Sequence, residues 1–348
     1  MSTLINIAKR GLTLATHRIH TLPIIVLMPH SKCNCRCVMC DIWKGNRNGQ
    51  ELSVEHIHAQ LDHIRRLKPR QVVLSGGEAL MHSNLWRLCE ALRQINPTMT
   101  ITLLSTGLLL KKHAAEVVKW CDEVIVSLDG SQETHDKIRR IPSAYERLRE
   151  GINTVREANP HFRITARCVL QQMNYTDLPN IIDAAHELGL DQISFLGADV
   201  STEAFNRPEL WDDTRSDDVR LSPQQVDTFA DVLDDVIDQY ANDFKSCFIA
   251  ESPAKLRRIV QYYAALNRTE AFPPVRCNAP WVSTVIEADG NVRPCFFHPV
   301  MGNIHHQPLD EIINSTDAIN FRRNLDTTKD AICRKCVCSL YLSPRADV

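Results

Sequence analysis

Four cysteines crowd into eight residues of the segment SKCNCRCVMC at 31–40, and Cys33, Cys37 and Cys40 among them have the spacing C-x3-C-x2-C. Thiolates are the protein ligands of iron-sulfur clusters. Three of them on one loop can hold three irons of a four-iron cube and leave the fourth open to another ligand, as an open position separates catalytic from structural metal sites. Zinc is the competing occupant, but its usual signature is paired C-x2-C units, and only Cys37 and Cys40 offer one. Cys35 lies between two proposed ligands and is expected to be a spectator thiol. A second group sits near the other end of the chain, where Cys333, Cys336 and Cys338 follow Cys277 and Cys295. A structural zinc knuckle is the alternative for this set. Cys89, Cys121, Cys168 and Cys247 are scattered and read as buried small apolar side chains.

These thiols need a scaffold, and from residue 23 to about 197 short β-rich runs alternate with helical patterns, as in a parallel sheet with crossover helices. The strand candidates are 24–28, 71–75, 100–105, 123–128, 163–170 and 192–196. Helical periodicity fills 54–68, 83–95, 111–119, 143–158 and 177–188. Six such units imply a partial (β/α)6 TIM-like barrel or an open wound sheet, with sites at the C-terminal strand ends. The cysteine loop follows the first of these strands. Gly76, Gly77 and Glu78 follow the second, where two glycines permit close backbone approach and a carboxylate can accept from an ammonium.

The spacing of Cys33, Cys37 and Cys40 after a first strand, with Leu74-Ser-Gly-Gly-Glu-Ala79 one unit later, resembles the radical SAM superfamily. The resemblance implies a 4Fe-4S cluster on the three cysteines and S-adenosylmethionine on its open iron, with the amino group held at Gly76, Gly77 and Glu78. The stretch VSLDGSQETHDKIRR is close to the family pattern after the fourth strand. It implies Ser127 at the cofactor ribose and Asp129 at ribose or substrate, with turn or cap roles as the alternative. Arg167 is expected at the cofactor carboxylate, since guanidinium forks suit carboxylates; a structural ion pair is its alternative. Met39 replaces the usual aromatic residue before the third cysteine, and a thioether can fill that apolar place.

The C-terminal part is similar to the SPASM domain and its shorter form, twitch: Cys277, twelve residues, Gly290, four residues, Cys295, then Cys333 and Cys336. The resemblance implies one auxiliary 4Fe-4S cluster on Cys277, Cys295, Cys333 and Cys336, with Cys338 as the alternative fourth ligand. Gly290 is expected to make the hairpin turn that joins the first two. The domain expectation is an N-terminal helical extension at 1–22, a barrel core at 23–200, an acidic connector and helices at 201–270, and the auxiliary domain at 271–348. Within it, 198–219 reads as a loop over the barrel mouth or a connector, and Ser222 with Gln225 as a capping box.

Composition sets the remaining expectations. Hydrophobic residues at 44% and charged residues at 24% are those of an ordinary globular chain, and the net charge of −2 gives no reason to expect nucleic acid. The longest early apolar run, 22–28, is too short to span a bilayer and lacks a cleavage pattern. With thirteen cysteines that cluster rather than scatter, reduced thiols in a cytoplasmic protein are expected. Residues 1–20 read as a surface helix that caps the barrel mouth, with membrane contact as the alternative.

The activity the resemblance implies is reductive cleavage of S-adenosylmethionine, driven by an external electron donor of the flavodoxin or ferredoxin type, followed by hydrogen abstraction from a substrate. The auxiliary cluster is expected to accept an electron. A small molecule such as a sugar, cyclitol or lipid precursor is the expected substrate, because no N-terminal region is spare for a leader-binding domain; a ribosomally made peptide is the alternative. A non-catalytic iron-sulfur electron carrier is the reading from another class.

Overall fold

The computed structural model describes residues 2–205, 207 and 209–346. Strands β1 (Ile24–His30), β2 (Gln71–Gly76), β3 (Thr100–Ser105), β4 (Glu123–Ser127), β5 (Arg163–Leu170) and β6 (Gln192–Gly197) form a parallel sheet in which each pairs with its sequence neighbour. β-Branched and leucine side chains fill the outer face, where Val72, Leu74, Ile101, Leu103, Val124 and Val126 are fully buried. Helices on the outside account for this, because a crossover helix covers each parallel strand. The α/β partial barrel of the sequence reading is thus the observed fold, with its six strands and five helices in place. The helix Gln132–Arg139 after β4 is additional, and its mean polarity hides its one buried face.

The C-terminal hairpin is continuous with the barrel sheet. β7 (Ser283–Ile286) pairs parallel with β1, and β8 (Asn291–Arg293) and β9 (Gly302–Asn303) continue antiparallel, giving the order β6-β5-β4-β3-β2-β1-β7-β8-β9. β1 and β6 do not pair, so the barrel stays open on that side. Gly290 has φ +82° at the hairpin turn, and a Cβ there would lie 2.7 Å from His305.

The helix Ser2–Thr16 is not at the barrel mouth. Residues 17–23 join it to the amino end of β1, and its contacts are at that end. There Trp281, just before β7, donates to Nδ1 of His17 at 3.2 Å, and Arg322 donates to the His17 carbonyl at 2.6 Å. No helix among the described residues is long and apolar enough to cross a membrane.

Segment 198–219 does lie over the mouth. Asp199 pairs with buried Arg207 at 2.8 Å, and Arg207 reaches the Met39 carbonyl at 3.5 Å. Trp211 donates to Asp41 at 2.8 Å, Arg215 donates to the Val38 carbonyl, and both arginines stack on Trp211. The segment therefore clamps the cysteine loop by charge, stacking and hydrogen bonds. Ser222 and Gln225 then form the reciprocal capping box that opens the helix Pro223–Gln239.

Candidate active site

The cysteine loop is held in place before any cofactor is considered. Arg36 and Val38 donate their backbone N–H groups to the carbonyls of Arg139 and Ile138, at 3.1 and 3.0 Å. Asn46 closes the other end, accepting from Cys33 N at 3.0 Å and donating to Cys33 O at 2.8 Å. Thus fixed, Cys33, Cys37 and Cys40 line one cavity of about 220 Å³, together with Gly76, Gly77, Ser127 and Arg167. Seven sequence-predicted residues from four strand ends meet there.

The two glycines serve the scaffold as well as the cavity. Gly76 has φ +113°, and a Cβ on Gly77 would lie 2.1 Å from the Lys32 carbonyl. No other residue lets β2 end this close to the cysteine loop.

Cys35 is 1% exposed and packs against its neighbours rather than lining the cavity. Hydrogen bonds to Cys33 and Cys37 and its burial push its thiol far up, so it keeps its proton. The same hydrogen bond, with the Arg139 guanidinium, pulls Cys37 down to about 7 against the cost of burial. Burial and the neighbouring Cys37 push Cys40 up to about 12.

Two predicted residues do not reach the cavity. Glu78 is 1% exposed and turns inward, where its carboxylate accepts from Leu80 N at 3.1 Å, Thr106 N at 2.7 Å, Thr106 Oγ1 at 2.7 Å and Ser105 Oγ at 3.1 Å. Burial raises its pKa, and those donors oppose the rise. These contacts tie β2 to the end of β3. Asp129 is fully buried, pairs with Arg139 at 2.5 Å and accepts from Val169 N at 3.0 Å. It is not in the cavity wall that Ser127 lines.

Arg139, which the sequence reading passed over, replaces Asp129 in the cavity wall and donates to the Cys37 Sγ at 3.5 Å. Its signal was the second-last residue of the DKIRR run, on a short polar helix. Ser127 and Arg167 are cross-strand partners. Arg167 donates only to Ser194 Oγ, at 3.4 Å, and has no carboxylate partner among the described residues. Phe205, from the clamping segment, and Val337 complete the wall.

The C-terminal thiols assemble from three separate segments. Burial raises Cys295, Cys333 and Cys336, and neighbouring thiols, Cys277 and Cys338 among them, lie near enough to add to the rise. Cys295 is raised to about 11. His298 joins the group: its Nε2 is 3.3 Å from Cys333 Sγ, and these two with Asp330 place their ligand atoms within 4.8 Å of one another. Of the four scattered cysteines, Cys89, Cys121 and Cys168 are buried as expected, whereas Cys247 is exposed at a positive-φ turn after the short helix Ala241–Lys245.

The donor sets fit two iron-sulfur clusters. Three thiols face a cavity with space beside them while Cys35 is withheld, which suits a cube with one open iron; four or five thiols converge at the second group.

Comparison with known proteins agrees. Residues 27–185 match the Radical SAM superfamily and residues 277–337 the iron-sulfur cluster-binding domain SPASM. The Fe-coproporphyrin III synthase of Methanosarcina barkeri is 28% identical over 176 residues, 50% of this chain and 43% of that protein. The antilisterial bacteriocin subtilosin biosynthesis protein AlbA of Bacillus subtilis is 23% identical over 298 residues, 82% of this chain and 58% of that one. The chain spans less than half the length of its coproporphyrin- and heme-synthase relatives. Among solved structures, Streptococcus suis SuiB bound to S-adenosylmethionine superposes with a TM-score of 0.63 at 12% identity, covering 96% of this chain and 78% of that one. Native anSMEcpe with bound AdoMet and the Cp18Cys peptide gives 0.65 at 17%, covering 90% and 87%. The chain belongs to the radical SAM superfamily and carries a C-terminal SPASM iron-sulfur domain.

Proposed function

We propose that this chain reductively cleaves S-adenosylmethionine and uses the radical so formed to take a hydrogen atom from a peptide. The observation that carries the reading is one cavity lined both by the motif thiols and by Val337, which lies in sequence between Cys336 and Cys338, so that a substrate there is near both thiol groups. The alignment with AlbA, a bacteriocin biosynthesis protein, runs through 82% of the chain, whereas that with the coproporphyrin synthase covers half. This favours a peptide over the small molecule of the sequence reading.

The cluster on Cys33, Cys37 and Cys40 with S-adenosylmethionine supplies a 5'-deoxyadenosyl radical, and a second cluster on Cys277, Cys295, Cys333 and Cys336 supplies an electron sink. The chain's own residues do the positioning. Gly76 and Gly77 present bare backbone to the amino group, Arg167 offers an unpaired guanidinium to the carboxylate, and Ser127 offers a hydroxyl to the ribose. Arg139 holds Cys37 and is itself held by Asp129. The segment 198–219, pinned by Arg207, Trp211 and Arg215, closes the mouth and limits water. A reduced flavodoxin or ferredoxin is the proposed electron donor.

The substrate class is tested with deuterium. Host cells are grown in deuterated medium, and their peptide and small-metabolite fractions are offered separately to the reconstituted protein with unlabelled S-adenosylmethionine. Deuterium in 5'-deoxyadenosine from the peptide fraction alone supports the reading; deuterium from the small-metabolite fraction alone rejects it.

A further inference from the structure

Beside the main cavity lies a second, smaller one of about 90 Å³ that shares Leu196, Gly197 and Val337 with it. Three cations line it: Lys255, Arg258 and Arg334. Lys255 and Arg258 stand three residues apart on the helix Pro253–Leu266, and so project from one face. Arg334 comes from the turn Cys333–Lys335 opposite. Arg257, next to Arg258 on the same helix, pairs with Asp234 at 2.7 Å. By contrast the guanidinium groups of Arg258 and Arg334 have no hydrogen bond or ion pair among the described residues, and the Lys255 ammonium has only Glu251, at 3.2 Å. Glu251 is in turn committed to Phe195 N at 2.8 Å. Three like charges thus converge on one hollow with a single carboxylate among them, in a chain whose net charge is negative.

All three side chains are exposed, so solvent screens their mutual repulsion in the empty protein, while they remain free to turn onto an anion shared among them. Two guanidinium forks suit a carboxylate, which each can hold by paired hydrogen bonds. We propose that this hollow is an anion subsite that anchors a carboxylate of the substrate, an Asp or Glu side chain or a C-terminus, beside the reaction cavity. The proposal rests on the peptide reading and deepens it: the peptide is acidic near the residue that reacts. Because Leu196, Gly197 and Val337 belong to both walls, a peptide anchored here has its next residues beside the larger cavity.

The test is calorimetric binding to the reconstituted protein with S-adenosylmethionine, without reductant. The probes are acetyl-triglutamyl amide, acetyl-triglutaminyl amide and inorganic phosphate. The acidic peptide should bind more tightly than the neutral one, and R258Q with R334Q should weaken it about tenfold or more, the loss expected for charge-assisted hydrogen bonds. R258K with R334K, which keeps the charge but loses the forks, should lose less binding than the glutamine pair, so that a general defect is recognised. Equal binding of the two peptides, equal binding by the glutamine variant, or binding of phosphate alone would overturn the proposal. No turnover enters this measurement. Anion binding without deuterium transfer from peptides sinks only the peptide reading, while transfer with unchanged binding in the variant sinks only the subsite.

Discussion

The two thiol groups of this protein are built in opposite ways. The N-terminal one lies on a single loop of eight residues, clamped from two sides by the end of the helix Gln132–Arg139 and by segment 198–219. The C-terminal one is gathered from residues 277, 295 and 333–338, brought together by the Gly290 turn and by the pairing of β7 with β1. A cation touches the first: Arg139 against Cys37, which is held near 7. In the second no cation touches a thiol among the described contacts, and burial raises Cys295 and Cys333 as it raises Cys40 in the first. The lesson is that a site meant to leave one iron open is fixed locally and electrostatically, while a site meant to be closed on all sides can be assembled by the tertiary fold.

The sharpest way to break that comparison is to remove one thiol from each group. Cys37→Ala should abolish 5'-deoxyadenosine formation outright, whereas Cys295→Ala should lose about half the iron yet keep cleavage without substrate, as read by iron counts and product assay. Equal loss in both would mean that the groups are not separate centres.

A smaller but still large effect is expected at the clamp. Asp129→Ala strands Arg139 in a buried site and should cost about 3–5 kcal/mol, measured by denaturant unfolding. The cluster of that variant should also be lost faster on exposure to a chelator, since Cys37 loses the group that holds its partner. Glu78→Ala orphans the donors of Thr106 and Ser105, at about 1–3 kcal/mol for each one left unpaired. If Glu78 instead held the amino group directly, Glu78→Ala would weaken S-adenosylmethionine binding with little change in stability. The smallest effect is the control far from both groups: Ser222→Ala removes the capping box and should cost about 1 kcal/mol with normal iron content.

What the sequence made legible follows the same division. Six strands and the cysteine loop were readable because a parallel sheet buries continuous apolar runs and because three ligands fell within eight residues. The side-chain directions of Glu78 and Asp129 were not, since a motif states which residue stands after a strand but not which way the turn points it. Arg139 was hidden on a helix whose exposed face is charged, so its burial had no periodic signal. The pairing of β7 with β1 was also hidden, because a four-residue strand carries no mark of its partner. His298 escaped for a similar reason: one histidine three residues after Cys295 gains meaning only when Cys333 folds against it.

The central claim is that the N-terminal thiols hold a cluster that cleaves S-adenosylmethionine while the C-terminal thiols hold another. Anaerobic reconstitution of the wild type beside a variant with Cys33→Ala, Cys37→Ala and Cys40→Ala together, with iron and sulfide counts and a dithionite-driven assay for 5'-deoxyadenosine, tests it most directly. The account predicts about eight irons and product in the wild type, and about four irons with no product in the variant. Zinc in place of iron, or iron that never yields 5'-deoxyadenosine, would contradict it.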